Sequence, residues 1–199
     1  MRKRSRKVAL AIVGAASFAA LAGCREDQVD AQAFPDLQSC KAASNNSGLF
    51  SVQECETAFA DAQQLNVETA PRYDSKATCE QEHGEGNCES EAQAMGNEGG
   101  GMGSIFLPLM AGYLIGNMMG GRTGMAAAQP LYKTANGKFT NAAGTAAYSS
   151  NSGKAKLNSS LFKKPQTTLG KAPMTKATLS SRGGFGSTGG SSYRSSLGG

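Results

Sequence analysis

Ile105-Phe106-Leu107-Pro108-Leu109-Met110-Ala111-Gly112-Tyr113-Leu114-Ile115-Gly116-Asn117-Met118-Met119 is apolar apart from Asn117, and how this run is read decides the fold. It spans fifteen residues with Pro108 near its start, short of the roughly twenty that a membrane-spanning helix needs. Gly112, Gly116, Gly120 and Gly124 recur every four residues. On a helix they form one smooth ridge that permits close approach of another backbone. Leu109, Met110, Tyr113, Leu114 and Met118 stand opposite. One reading is a glycine-zipper segment that self-associates or enters a membrane. The other is an apolar segment that simply packs on the cysteine domain, since glycine weakens helices in water. Six of the eight methionines lie between Met95 and Met125, a pattern that reads as adaptable packing before it reads as copper binding.

Upstream, residues 34–91 form the strongest folding unit. Ser51-Val52-Gln53-Glu54 reads as a capping box. Val52, Cys55, Phe59 and Ala62 follow at helical spacing as a buried stripe, and Pro71 ends that helix by about Ala70. A second helix starts at Asp74 or Ser75 and stops at Gly84. Phe34 precedes Cys40 by six residues and Tyr73 precedes Cys79 by six, which suggests two related aromatic-helix-cysteine units.

The expected architecture is therefore a small α-helical, disulfide-stapled domain, then a Gly-rich apolar helical segment (92–125), then a largely disordered basic tail (126–199). Cys40, Cys55, Cys79 and Cys88 suit two disulfides in an exported domain too small to be stable by packing alone. Three connectivities are open. Cys40–Cys55 and Cys79–Cys88 are favoured because each closes a short local loop containing a glycine. The rival is a metal or redox site using Cys79, His83 and Cys88. Cys79 and His83 share a helix face, but no CxxC knuckle is present, and His83 reads instead as a surface residue at a helix end.

The first 23 residues read as an address. Arg2, Lys3, Arg4, Arg6 and Lys7 precede a small-apolar run from Val8 to Gly23, the layout of a secretory signal. The run closes in Leu21-Ala22-Gly23-Cys24, which looks like a bacterial lipobox with Cys24 as the lipid attachment site. Residues 24–33 then form a tether. Arg25 follows Cys24 where no Asp stands, a pattern resembling outer-membrane sorting, with inner-membrane anchorage as the alternative.

Removing residues 1–23 leaves a charge-segregated chain. All fifteen carboxylates lie between Glu26 and Glu98, and with the four basic residues Arg25, Lys41, Arg72 and Lys76 residues 24–98 have a net of −11, whereas Gly99–Gly199 carries eleven basic residues and no acid. Lys133, Lys138, Lys154, Lys156, Lys163, Lys164, Lys171 and Lys176 are spread among Ser, Gly, Ala and Thr, a composition that reads as disorder. Arg182-Gly183-Gly184-Phe185-Gly186 resembles an RNA-binding element only superficially, and export argues against nucleic acid. The GxGxxG match at Gly184–Gly189 has neither strand before it nor helix after it. No P-loop, GxSxG or HExxH is present, and one histidine leaves little room for a catalytic triad.

Taken together, the lipobox, the cysteine segments ending in Gly84-Glu85-Gly86-Asn87-Cys88, the stretch Leu107-Pro108-Leu109-Met110-Ala111-Gly112-Tyr113, and Arg182–Gly186 resemble the YgiB family of proteobacterial envelope proteins. The resemblance covers nearly the whole chain. That family is uncharacterised, so it implies no reaction. It does imply a shared process with an ATP-grasp amide ligase similar to glutathionylspermidine synthetase, encoded nearby in members. The reading at this stage is a non-enzymatic, periplasm-facing outer-membrane lipoprotein without cofactors. Its partners would be the membrane through the lipid anchor, anionic lipid or cell-wall polymer through the tail, and a second copy through the glycine ridge.

Overall fold

Strand β1 (Gln28–Phe34) leads into helices α1 (Leu37–Ser47) and α2 (Val52–Thr69), followed by α3 (Lys76–His83), β2 (Cys88–Ser90) and the short α4 (Glu91–Ala94). Next come β3 (Phe106–Pro108), β4 (Met110–Gly116), β5 (Ala127–Lys133), β6 (Phe139–Asn141), β7 (Ala147–Tyr148) and β8 (Gly153–Asn158). A 3-10 turn (Ser159–Phe162) and α5 (Lys176–Arg182) complete the order. The computed structural model describes residues 28–47, 50–96, 105–117 and 127–182.

The helices begin and end where their sequence signals lie. The Ser51 Oγ accepts from the Glu54 amide at 3.2 Å while Glu54 Oε2 accepts from the Ser51 amide at 2.7 Å, closing the capping box. Helix α3 is capped by Ser75 and stopped by Gly84 at φ +88°. The buried stripe of α2 is Cys55, Ala58, Ala62, Asn66 and Thr69, with Phe59 packed partly buried against the same cluster, so Cys55 and Ala62 lie where expected and Ala58 joins them. Val52, in the first turn, is exposed.

A six-stranded antiparallel sheet, in the order β7-β6-β5-β4-β1-β8, is the centre of the molecule, and β2 pairs with β3 in a small second sheet. This overturns the expectation of a mainly helical domain with a helical apolar segment and a disordered tail. Met110–Gly116 is a strand, and β5 to β8 lie inside the expected tail. Residues 28–33, assigned to a tether, belong to a strand hydrogen-bonded on both sides, to β4 and to β8.

The two faces of the sheet bury different residues. Phe34, Tyr113, Ile115 and Ala128 pack with Phe50, Cys55, Ala58 and Ala62 beneath the α1–α2 pair. On the opposite face Ala31, Ala33, Leu114 and Leu131 form a second cluster with Phe162. Beyond the sheet, 163–175 is strapped along the end of α2: the Thr168 amide donates to the Glu68 carbonyl at 2.9 Å and the Met174 amide to the Arg72 carbonyl at 2.7 Å.

The sheet curls because its edges are tied together. Laid flat, six strands would set β7 and β8 about 24 Å apart at the usual spacing. Residues 149–152 join Tyr148 to Gly153, and five Cα steps reach only about 17 Å. The two edges therefore approach, giving a half-barrel whose inner face carries Ala31, Ala33, Leu114 and Leu131 with Phe162.

Of the glycine ridge, Gly112 and Gly116 are placed and Gly120 and Gly124 lie outside the described residues. Gly112 sits at φ +150° beside a bulge between β4 and β5, where a Cβ would stand 2.8 Å from the Phe34 carbonyl oxygen. At Gly116 a Cβ would meet the Phe162 ring at 2.7–2.8 Å. Both glycines are filled by their own chain, so they form no helical ridge for a partner. Gly116→Ala is expected to destabilise by about 1–3 kcal/mol through overpacking, and to be tolerated once Phe162→Ala removes the ring. Urea denaturation of the double-mutant cycle reads this directly. An equal cost in both backgrounds would contradict the packing assignment.

Candidate functional site

The aromatic-helix-cysteine echo places both disulfides. Phe34 ends a strand, Asp36 accepts from the Ser39 amide at 2.7 Å, and Cys40 follows in the first turns of α1, bonded to Cys55. That hydrogen bond also holds the Asp36 carboxyl below its ordinary pKa. Tyr73 bridges to Phe106 and Met174 in extended conformation, Ser75 caps α3, and Cys79 is bonded to Cys88. Cys40, Cys55 and Cys79 are fully buried and Cys88 nearly so. Loops of this size constrain the unfolded chain by about 2–4 kcal/mol each.

His83 is not on the surface. It is fully buried between Tyr73 and Tyr132, with Nε2 2.8 Å from the Tyr73 hydroxyl and Nδ1 2.7 Å from the Lys133 carbonyl oxygen. A carbonyl only accepts, so Nδ1 carries the proton. Burial pushes the ring's pKa down to about 4, so near neutral pH the imidazole is uncharged and Nε2 accepts from the Tyr73 O–H. Burial likewise drives both tyrosine hydroxyls upward, keeping them protonated. The Tyr132 hydroxyl has no hydrogen-bond partner among the described residues.

These distances remove the proposed ligand set of Cys79, His83 and Cys88. The two sulfurs are bonded to each other, and both ring nitrogens are engaged within the fold. Among the described residues no group of three or more His, Cys, Asp or Glu is placed to hold a metal. Nor is any described helix long and apolar enough to cross a membrane. Cys24 lies outside the described residues.

One residue that the sequence did not single out organises the junction between the sheets. Arg72 is 3% exposed. Its Nε donates to Glu91 Oε1 at 2.9 Å, Nη2 to the Val67 carbonyl at 2.7 Å, and Nη1 to the Ala70 carbonyl and the Thr168 hydroxyl. A single guanidinium thus closes the end of α2, anchors α4 and holds the strap at Thr168. The only forward signal was its rarity as a basic residue in an acidic half.

The chemistry left at the surface is charge. All eight lysines from Lys133 to Lys176 are exposed. Two of them pair back to the acidic half, Lys164 with Glu68 at 2.9 Å and Lys156 with Asp30 at 3.9 Å. The Lys164 hydrogen bond also lowers the pKa of Glu68. Such exposed pairs contribute little to stability. The halves are joined by sheet pairing rather than by attraction of opposite charges.

The profile of a family described as a protein of unknown function, DUF1190, matches residues 28–198. The UPF0441 protein of Erwinia tasmaniensis is 37% identical over 177 residues, covering 83% of this chain and 74% of that protein. A UPF0441 protein of Klebsiella pneumoniae strain 342 is 34% identical over 183 residues, with the same coverage. That of Pectobacterium carotovorum is 33% identical over 198 residues, covering 93% and 82%. No solved structure matches the chain.

The buried imidazole makes stability pH-dependent. Its folded pKa lies below its unfolded value of about 6.5, so its contribution is complete above that value and is lost as pH falls toward about 4. The expected slope in this window reaches about 1.4 kcal/mol per pH unit. Urea titrations between these limits should show it, and His83→Gln should flatten the profile relative to the native chain.

Proposed function

Because the chain belongs to the YgiB family of uncharacterised proteins (UPF0441, DUF1190), its role has to be inferred from its own chemistry, and we propose a non-enzymatic lipoprotein of the bacterial envelope. Cys24 carries the lipid, four residues ahead of β1, and the folded domain faces the periplasm from the outer membrane. The observation that carries this reading is the pair of buried disulfides, a chemistry that persists in oxidising compartments and is rare in the cytosol. The basic n-region and Leu21-Ala22-Gly23-Cys24 point to the same compartment. Several acyl chains, at about 0.8 kcal/mol per buried methylene, hold a protein durably at a membrane.

Exposed lysines dispersed over the second half suit diffuse attraction to anionic lipid headgroups or cell-wall polymer rather than a pocket. Such attraction weakens as salt shortens the screening length. Metabolic labelling with a fatty-acid probe, followed by membrane fractionation, tests the anchor. The native chain should be labelled and sediment with outer membranes, while Cys24→Ser should lose the label and become soluble in the periplasm. Label retained by Cys24→Ser, or native protein in the cytosol with free thiols, would overturn the assignment. Sedimentation with inner membranes would correct the location alone.

A further inference from the structure

The half-barrel has an open seam. Strand β8 pairs with β1 on one side and with no described strand on the other, and β7 likewise pairs with β6 alone. Between these edges lies a cavity of 320 Å³ lined by Ala31, Ala33, Leu114, Tyr148 and Leu157 together with the polar connection from β7 into β8, Lys154 included. The volume is within the usual range for ligand sites. The space is open because two alanines of β1, Ala31 and Ala33, stand where larger residues would fill the half-barrel.

Three features of the seam describe its occupant. The free edge of β8 offers main-chain amides and carbonyls over six residues, which another strand can satisfy. Tyr148 lines the cavity, and its hydroxyl is withdrawn from solvent with no hydrogen-bond partner among the described residues. The alternation of β8 is also informative. Ala155 and Leu157 stand opposite Ala31 and Val29 on the cavity side, whereas Lys154 and Lys156 alternate with them opposite Gln32 and Asp30, Lys154 also bordering the cavity. A strand laid beside β8 repeats that alternation, so its apolar side chains enter the cavity and the intervening ones stand next to the lysines.

We propose that the seam between β7 and β8 is an acceptor groove for an extended peptide strand of another protein, with acidic side chains alternating with small apolar ones. An acyl chain would fill the cavity but leave the β8 edge and the Tyr148 hydroxyl unpaired. A second copy pairing β8 to β8 would bring lysines against lysines, the usual means by which exposed edges resist self-association. The groove is a property of the folded domain and does not depend on lipidation of Cys24.

The test uses the full oxidised chain and a fluorescent peptide, acetyl-Glu-Val-Glu-Val-Glu-Val-amide. Saturable binding is expected, together with slowed amide hydrogen exchange confined to Gly153–Asn158 and its neighbours. Lys154→Glu/Lys156→Glu, both at exposed positions, should weaken binding at least tenfold and transfer preference to the matching Lys-Val peptide. Ala155→Phe, also at an exposed position, should block the groove while the circular dichroism spectrum stays native. Four results would overturn the proposal: no saturable binding at millimolar peptide, equal binding of a backbone N-methylated peptide, protection of β8 in a peptide-free dimer, or occupation of the cavity by palmitate but not by the peptide.

Discussion

Strand β4 buries both of its faces. Tyr113 and Ile115 pack under the helix pair while Leu114 points into the half-barrel, and its backbone is hydrogen-bonded to β1 on one side and β5 on the other. Because Gly112 to Gly116 are all buried, the remaining elements have to supply two covers and two neighbours. The α1–α2 pair is one cover, and Phe162 with the inner face of the curled sheet is the other. Glycine at 112 and 116 is the local condition for this, since each lets another part of the chain come closer than a side chain would allow.

That double burial is also why the strand was read as a helix. A half-buried strand announces itself by alternation, whereas one buried on both faces is a continuous apolar run that periodicity cannot distinguish from a helix. Glycines four apart then suggest a ridge, whereas in extended backbone Gly112 and Gly116 are two positions on one face of β4. Strand β5 is disguised further by Pro130, a residue that normally argues against an interior strand. The later strands are short and polar, with Lys154 and Lys156 at an edge, so their composition matches disorder while their order comes from pairing, β8 with β1, β6 with β5 and β7 with β6.

Local signals fared better because they depend on neighbours in sequence. The capping box at Ser51, the stop at Gly84 and the repeated spacing of aromatic and cysteine were all legible. Two disulfides were too, and the short-loop pairing is the one present. What could not be read was anything set by distant partners. His83 is buried because Lys133, fifty residues on, offers a carbonyl to it, and Arg72 is internal because Thr168 and Glu91 converge on it.

The register of β1 has a consequence for the order in which this molecule can be assembled. Gln28 at the start of β1 is partnered by Asn158, a separation that makes the central sheet rich in non-local contacts and slow to close. The disulfides, by contrast, link cysteines 15 and 9 residues apart. As the chain emerges from its N-terminus, both crosslinks can form once Cys88 has appeared, long before β8 exists to flank β1. Both crosslinks are thus independent of the barrel wall in sequence, and a chain truncated before residue 153 keeps all four cysteines yet leaves β1 without its β8 neighbour.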